Sequence, residues 1–558
     1  MKLRFLTLAV VGVLSLAACN DDDNDTKIAT VDSPTNTTPA QPVQPTQPTT
    51  PSVTPTQPNT QPTTPTVIET YYQTKTPYQA PKDIANLPAA PTGYVPVYTQ
   101  LLARHGSRGL SSIKYDLVVY RMWQQAKADG ALTELGEKLG DDVLAIMQAN
   151  FFLGQNVDGV SFDAKKGGYG NETQVGINEH TELAKRLLSR LPTLWQDAAA
   201  HNRRISVMSS GQDRAVDSAY FFAKSLQTHA PMLANLVYYP PAPMTKTQQS
   251  DGVNRYQLYF HKLEDKLDGV EATSPLYPTF VESQNYQTYK KKDADLANTQ
   301  AQLAADSRLN AAGRVVLEQL FSKTFVDKIA DGTYQFANDG SMTFADANGK
   351  ELTLSGDGKT KIDSLASGGQ MLYELYSIAP AMMKETNGVD FLAYMPPAQA
   401  KIFAEYNDAS DFYDKGPGFT DKNQITSKMA KYLQDDFFAS LDNVVKGDTR
   451  EAARLRFAHA EIVIPFATLL GVNGTTVTQP TSTLYNYSNN PWRGVNISPM
   501  AANVQWDLYK NGTAYAVRML YNEKPTAFKP ACDYAKLTTD SNFYDYNKLR
   551  QCYGYQSF

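Results

Sequence analysis

Val95-Pro96-Val97-Tyr98-Thr99-Gln100-Leu101-Leu102-Ala103-Arg104-His105-Gly106-Ser107-Arg108 decides the fold. Its first eight residues, Val95 to Leu102, form a short apolar run of the length and composition of a buried strand. Its last five are polar and glycine-containing, and a helical pattern with Ile113, Leu117 and Tyr120 on one face follows. A strand that turns into a helix at its carboxyl end is the unit of a parallel α/β sheet, and that edge of such a sheet is where ligands bind. Arg104 and Arg108 flank His105, and two guanidinium forks can clamp the oxygens of an anion. Gly106 lets the backbone approach closely, and the helix start adds free N–H groups. A neutral imidazole nitrogen in that position is a candidate nucleophile.

The same arrangement recurs twice. Ile205-Ser206-Val207-Met208 leads into Ser209-Ser210-Gly211-Gln212-Asp213-Arg214, which places Arg214 at another strand end and helix start. Leu455-Arg456-Phe457-Ala458 leads into His459-Ala460-Glu461. If the backbone there stays extended, residues i and i+2 point the same way and His459 and Glu461 face one space. A histidine can donate to a phosphoryl oxygen, and a carboxylic acid can protonate a leaving alkoxide. Stripes of Leu183, Leu187 and Leu191 ended by Pro192, and of Ala215, Ala219, Phe222 and Leu226, are core surface.

The ends of the chain set its surroundings. Lys2 and Arg4 precede the apolar run Leu6 to Leu16, and Leu16-Ala17-Ala18-Cys19 follows. Residues 1–18 read as an export signal too short to span a bilayer as a mature helix. The cysteine at its end resembles a bacterial lipobox. That resemblance implies lipidation of Cys19 and an anchor in a bacterial membrane, facing the periplasm or the cell surface. Residues 19–76, an acidic run followed by Pro, Thr and Gln, carry too little apolar surface to fold and read as a disordered, semi-rigid tether. Cys532 and Cys552 then remain as an even pair in an exported chain, which predicts a disulfide. The formal charge of −5 becomes −7 once Lys2 and Arg4 leave with the signal, which gives no basic footprint for nucleic acid. An anionic substrate must therefore meet a local basic cluster.

Residues 77–230 and 446–558 read as one α/β core, a parallel-rich sheet flanked by helices. Residues 231–445 change to long polar helical patterns and read as a large, mainly helical inserted domain. Within it, Asn338-Asp339-Gly340 and Asn348-Gly349 mark one or two hairpins. Lys290-Lys291-Lys292 fits a solvated helix face better than a substrate contact. Tyr413-Asp414-Lys415-Gly416-Pro417-Gly418 reads equally as a pocket border or a plain turn. His180, His201, His229 and His261 read as structural or surface residues.

Arg104-His105-Gly106-Ser107-Arg108, Arg214 and His459-Ala460-Glu461 together resemble the histidine acid phosphatases, branch 2 of the histidine phosphatase superfamily. The His-Ala-Glu variant and Asn522-Glu523-Lys524-Pro525 are similar to the multiple inositol polyphosphate phosphatases and phytases within it. The resemblance implies a metal-independent phosphatase without cofactor. His105 would become phosphohistidine, Arg104, Arg108, Arg214 and His459 would bind the phosphate, and Glu461 would donate the proton. An inositol polyphosphate is the implied substrate. A broad acid phosphatase acting on sugar phosphates, and a tethered surface binding protein without turnover, stay open beside it. Leu110 stands where the family motif usually has proline.

Overall fold

The computed structural model describes residues 69–238 and 254–558. The export signal, Cys19 and the tether as far as residue 68 lie outside the described residues, as do residues 239–253 at the start of the insertion.

Four strands lie side by side and parallel along one side of an eight-stranded sheet. They are β1 (Val95–Arg104), β2 (Arg204–Ser209), β3 (Val237–Tyr238) and β4 (Glu451–Ala458), in the order β1-β4-β2-β3. On the far side of β1 the sheet continues antiparallel through β5 (Asn503–Asn511), β6 (Ala514–Tyr521) and β7 (Lys524–Thr526). A last short strand, β8 (Phe543–Asp545), pairs with β6. The expected α/β class holds, and the parallel part carries the motifs.

Side-chain alternation along β1 explains its central place. Leu101 and Ala103 enter one core, and Tyr98 and Leu102 enter the other. Helices α1 (Lys114–Ala128), α2 (Glu134–Phe152), α3 (Gln174–Arg190) and α4 (Asp213–His229) follow β1 and β2. The stripes Leu183, Leu187 and Ala219, Phe222, Leu226 cover the first core, against Val207, Leu455 and Phe457. Full burial of each large apolar side chain is worth about 1.5–3 kcal/mol.

The other core is continuous with the helices of the insertion: α5 (Tyr277–Lys292), α6 (Ser307–Leu320), α7 (Leu365–Ile378), α8 (Pro397–Asp414) and α9 (Lys431–Val445). Leu117 and Met122 of α1 share one apolar cluster with Leu317 of α6 and Leu372 of α7. The helical layer thus draws on residues both before and after position 231. The marked hairpin forms between Ser341–Ala345 and Glu351–Ser355, and Phe344 packs on Phe151 with ring centroids 4.8 Å apart. Cys532 and Cys552 are joined, as the cysteine count predicts.

Residues 69–76, assigned to the tether by composition, are instead part of the fold. The Tyr71 N–H donates to Tyr376 Oη at 3.0 Å, Tyr373 Oη donates to the Tyr71 carbonyl at 2.8 Å, and Gln73 and Thr74 are buried. Tyr71 and Tyr72 supply the apolar surface that the Pro/Thr/Gln stretch lacks.

Candidate active site

The carboxyl ends of β1, β4 and β2 are in register, with Arg104 opposite Ala458 and Ser209 opposite Phe457. The ladder continues past the strands. The His105 N–H donates to the Ala458 carbonyl at 2.8 Å, and the Ser210 N–H donates to the Phe457 carbonyl at 3.0 Å. The three sequence motifs therefore meet on one edge of the sheet.

His105 is fully buried. Its Nδ1 lies 2.9 Å from the Gly106 carbonyl oxygen. A carbonyl only accepts, so Nδ1 carries the proton and Nε2 keeps its lone pair. Nε2 has no hydrogen-bond partner among the described residues. Burial first, then the charges of Arg214, Arg104, His459 and Arg108, push the imidazole well below its ordinary range. Its environment thus favours the neutral ring, which is the nucleophilic form.

All three arginines are buried around it. Arg104 Nη1 donates to the carbonyls of Thr74 and Ser498 at 2.6 and 2.7 Å, and Arg108 Nη1 donates to the Gly109 carbonyl at 2.8 Å. Arg214 stands in the first turn of α4. Arg104 and Arg108 face a cavity whose other walls include Lys75, Glu374, Asp411 and Lys415. The His459 ring centroid lies 5.6 Å from that of His105, and His459 Nε2 is 2.8 Å from Ser210 Oγ.

Glu461 departs from the expected extended geometry. β4 ends at Ala458, His459 is the extended N-cap with φ −129° and ψ 170°, and helix α10 runs Ala460–Leu470. Glu461 thus sits in a first helical turn, where a carboxylate is favoured by the helix dipole. Its charge acts on the buried His261, whose ring centroid lies 6.3 Å from that of His459. Lys415 Nζ donates to Glu461 Oε1 at 3.1 Å. The Tyr413-to-Gly418 segment is therefore a pocket border, and His261 is a site neighbour that sequence reading left as structural.

Residues 98–522 match the model of the histidine phosphatase superfamily (branch 2). This chain belongs to that family.

The branch 2 phosphatase is 33% identical to the Bifidobacterium longum multiple inositol polyphosphate phosphatase. That match covers 88% of this chain and 99% of the relative, with a TM-score of 0.74 for its complex with inositol hexasulfate and 0.77 for its apo form. The phytase from D. castellii, 13% identical over 86% of this chain and 84% of its own, shares the fold with a TM-score of 0.52. Multiple inositol polyphosphate phosphatase 1 of Gallus gallus is 26% identical over 165 residues, 28% of this chain. The matched stretch spans 36% of the length of that curated relative.

Beneath the phosphatase motif lies a layer of buried carboxyls that sequence reading missed. Glu179 of α3 accepts from the Ser107 N–H at 2.7 Å, Ser107 Oγ at 2.8 Å and the Tyr78 N–H at 2.7 Å. Burial nonetheless pushes its carboxyl up to about 7. Glu172 accepts from Ser218 Oγ at 2.9 Å, and the Gly106 N–H donates to the same hydroxyl at 3.0 Å. Burial, then the charge of Asp217, raises Glu172 well above the carboxylate range. A glutamate inside a helix carries no sequence mark of such a role.

Two remaining expectations find their places. Leu110, standing for the usual proline, uses its N–H to donate to Asn150 Oδ1 at 2.9 Å, a bond proline lacks. Lys290 is 3.2 Å from Asp414 Oδ2, while Lys291 and Lys292 are exposed on the last turn of α5, away from the cavity lining.

Proposed function

We propose that this chain is a metal-independent phosphomonoesterase that removes phosphates stepwise from inositol polyphosphates such as phytate. The observation that carries the reading is His105, neutral and protonated on Nδ1, with its Nε2 lone pair set among three buried guanidiniums. Nε2 attacks phosphorus, the phosphorus–oxygen ester bond breaks, and Glu461 hands its proton to the leaving oxygen. The Glu461 carboxylate then takes a proton from the water that attacks phosphohistidine, releasing inorganic phosphate and restoring both groups. Arg104, Arg108, Arg214 and His459 hold the equatorial oxygens as charge builds on them.

The substrate class rests on the Bifidobacterium longum relatives, described as inositol polyphosphate phosphatases and solved with inositol hexasulfate and with phosphate. Export and lipid attachment at Cys19 belong to the same proposal and rest on the sequence. The test is turnover of phytate, glucose 1-phosphate and p-nitrophenyl phosphate by the soluble fragment, with His105→Ala as control. Phytate should be the best substrate and the variant should lose all three. Phytate turnover at least about tenfold less efficient than that of glucose 1-phosphate, roughly 1.4 kcal/mol in the barrier, overturns the substrate assignment in favour of a general acid phosphatase.

A further inference from the structure

Two lysines of the cavity wall rest on carboxylates. Lys75 pairs with Glu374. Lys415 Nζ lies 3.1 Å from Asp411 Oδ1, one turn back on α8, and 3.1 Å from Glu461 Oε1. The Lys415 side chain is only 4% exposed, and it lines the same cavity as Arg104 and Arg108. Other charged or titratable groups surround Glu461: His459 from its own motif, the buried His261, Tyr286 of α5, and the Asp414–Lys290 pair.

This arrangement sets a conflict with the proton-donor role on which the proposed function rests. A carboxyl that donates a proton must first hold one, and an ammonium at hydrogen-bond distance favours the form without it. A phosphate dianion clamped by Arg104 and Arg108 offers the same ammonium a more highly charged partner on the same cavity wall. We propose that Lys415 is a positioning residue that gates the proton donor. Bound phosphate draws its ammonium away from Glu461, and Glu461 takes up its proton only in the loaded site.

Lys415 itself transfers no proton. When the His105 Nε2–phosphorus bond forms and the ester bond breaks, the electron pair left on the departing oxygen takes the proton of Glu461. Asp411 shares the lysine, and burial raises its carboxyl above the usual range, so one ammonium serves two carboxyls that compete for one proton.

The experiment compares the alkaline limbs of kcat and kcat/KM for 2-glycerophosphate, whose leaving alkoxide needs a proton. The limb of kcat/KM reports the free enzyme and that of kcat the loaded one. In the wild-type chain the kcat limb should lie at higher pH, because only the free enzyme keeps Lys415 on Glu461. Lys415→Met should raise the kcat/KM limb by on the order of one pH unit and close the gap, while Lys415→Arg keeps it. Substrate ionisation enters kcat/KM equally in all three proteins, so it cancels between variants, and the shift of that limb on Lys415→Met carries the test. Coinciding limbs in a wild-type chain that turns over the ester overturn the gate, and this measurement stands even if Lys415→Met fails to fold. An unmoved kcat/KM limb in a folded Lys415→Met protein overturns it as well. A wild-type chain without phosphomonoesterase activity overturns instead the reading of the site on which the gate depends.

Discussion

Glu461 sits in the first turn of α10 with Lys415 on one carboxylate oxygen, a placement that makes its chemistry separable from binding. An alkoxide leaving from an inositol ring needs a proton in the transition state, whereas p-nitrophenolate barely does. Glu461→Gln should therefore lose about 10²- to 10⁴-fold in kcat on phytate and far less on p-nitrophenyl phosphate. Equal losses on the two substrates in steady-state assays would remove Glu461 from the role of acid. At this scale the sequence is legible where a residue type is rare and its position follows a strand. His105, Arg104, Arg108, Arg214 and His459 all announce themselves as ends of apolar runs, and the structure brings them together. Glu461 stands out by its spacing from His459 and takes its role from the resemblance, but the extended backbone expected around it is a helix start, because His-Ala-Glu does not tell where a strand stops. Lys415 and His261 could not be assigned from the sequence, since they reach the site from an insertion whose docking depends on long-range packing.

The supporting elements explain how the motif loop is held. Helix α3 runs its first turn against the loop from Gly106 to Arg108, and Gly176 stands at the contact. A Cβ on Gly176 would lie 2.2 Å from the Ser107 carbonyl oxygen and 2.7 Å from the Ser107 nitrogen. Both are backbone atoms, which cannot swing aside as a side chain can. Glycine in a helix costs roughly 0.5–1 kcal/mol relative to alanine, and here the close approach of α3 to the loop offsets that cost. Gly176→Ala should displace the loop and lower kcat by about 10²-fold, as a misplacement of about 1 Å can. Thermal unfolding should also come at lower temperature, because a helical gain of roughly 0.5–1 kcal/mol is smaller than the cost of shifting backbone out of a 2.2 Å contact. A variant with wild-type kcat would show that α3 does not position the loop. The stripes of α3 and α4 were readable from the 3.6-residue period, and so were the parallel strands between them. In the antiparallel half the apolar run Ala516-Val517-Arg518-Met519-Leu520 marks β6, but its direction and the neighbouring β5 were not readable, because buried strands carry no alternation that separates antiparallel from parallel.

Taken whole, the molecule is acidic, with a formal charge of −5, yet its candidate site gathers Arg104, Arg108, Arg214, Lys75 and Lys415. Long-range attraction thus comes from a small cationic focus set in a field that repels anions. A substrate with six phosphates feels both parts strongly, since its charge extends beyond the single phosphate held in the site. A substrate with one phosphate makes most of its contacts at short range, where buried partners are screened least. The Debye length falls from about 10 Å at 0.1 M salt to about 3 Å at 1 M, which removes outer contacts before inner ones. If phytate is the substrate, its KM should rise steeply between these salt concentrations while that for p-nitrophenyl phosphate changes little. Steady-state kinetics at constant pH, with calcium excluded, makes the comparison. A KM for phytate as insensitive to salt as that for p-nitrophenyl phosphate would mean that only one phosphate is recognised, which is the behaviour of a general phosphatase.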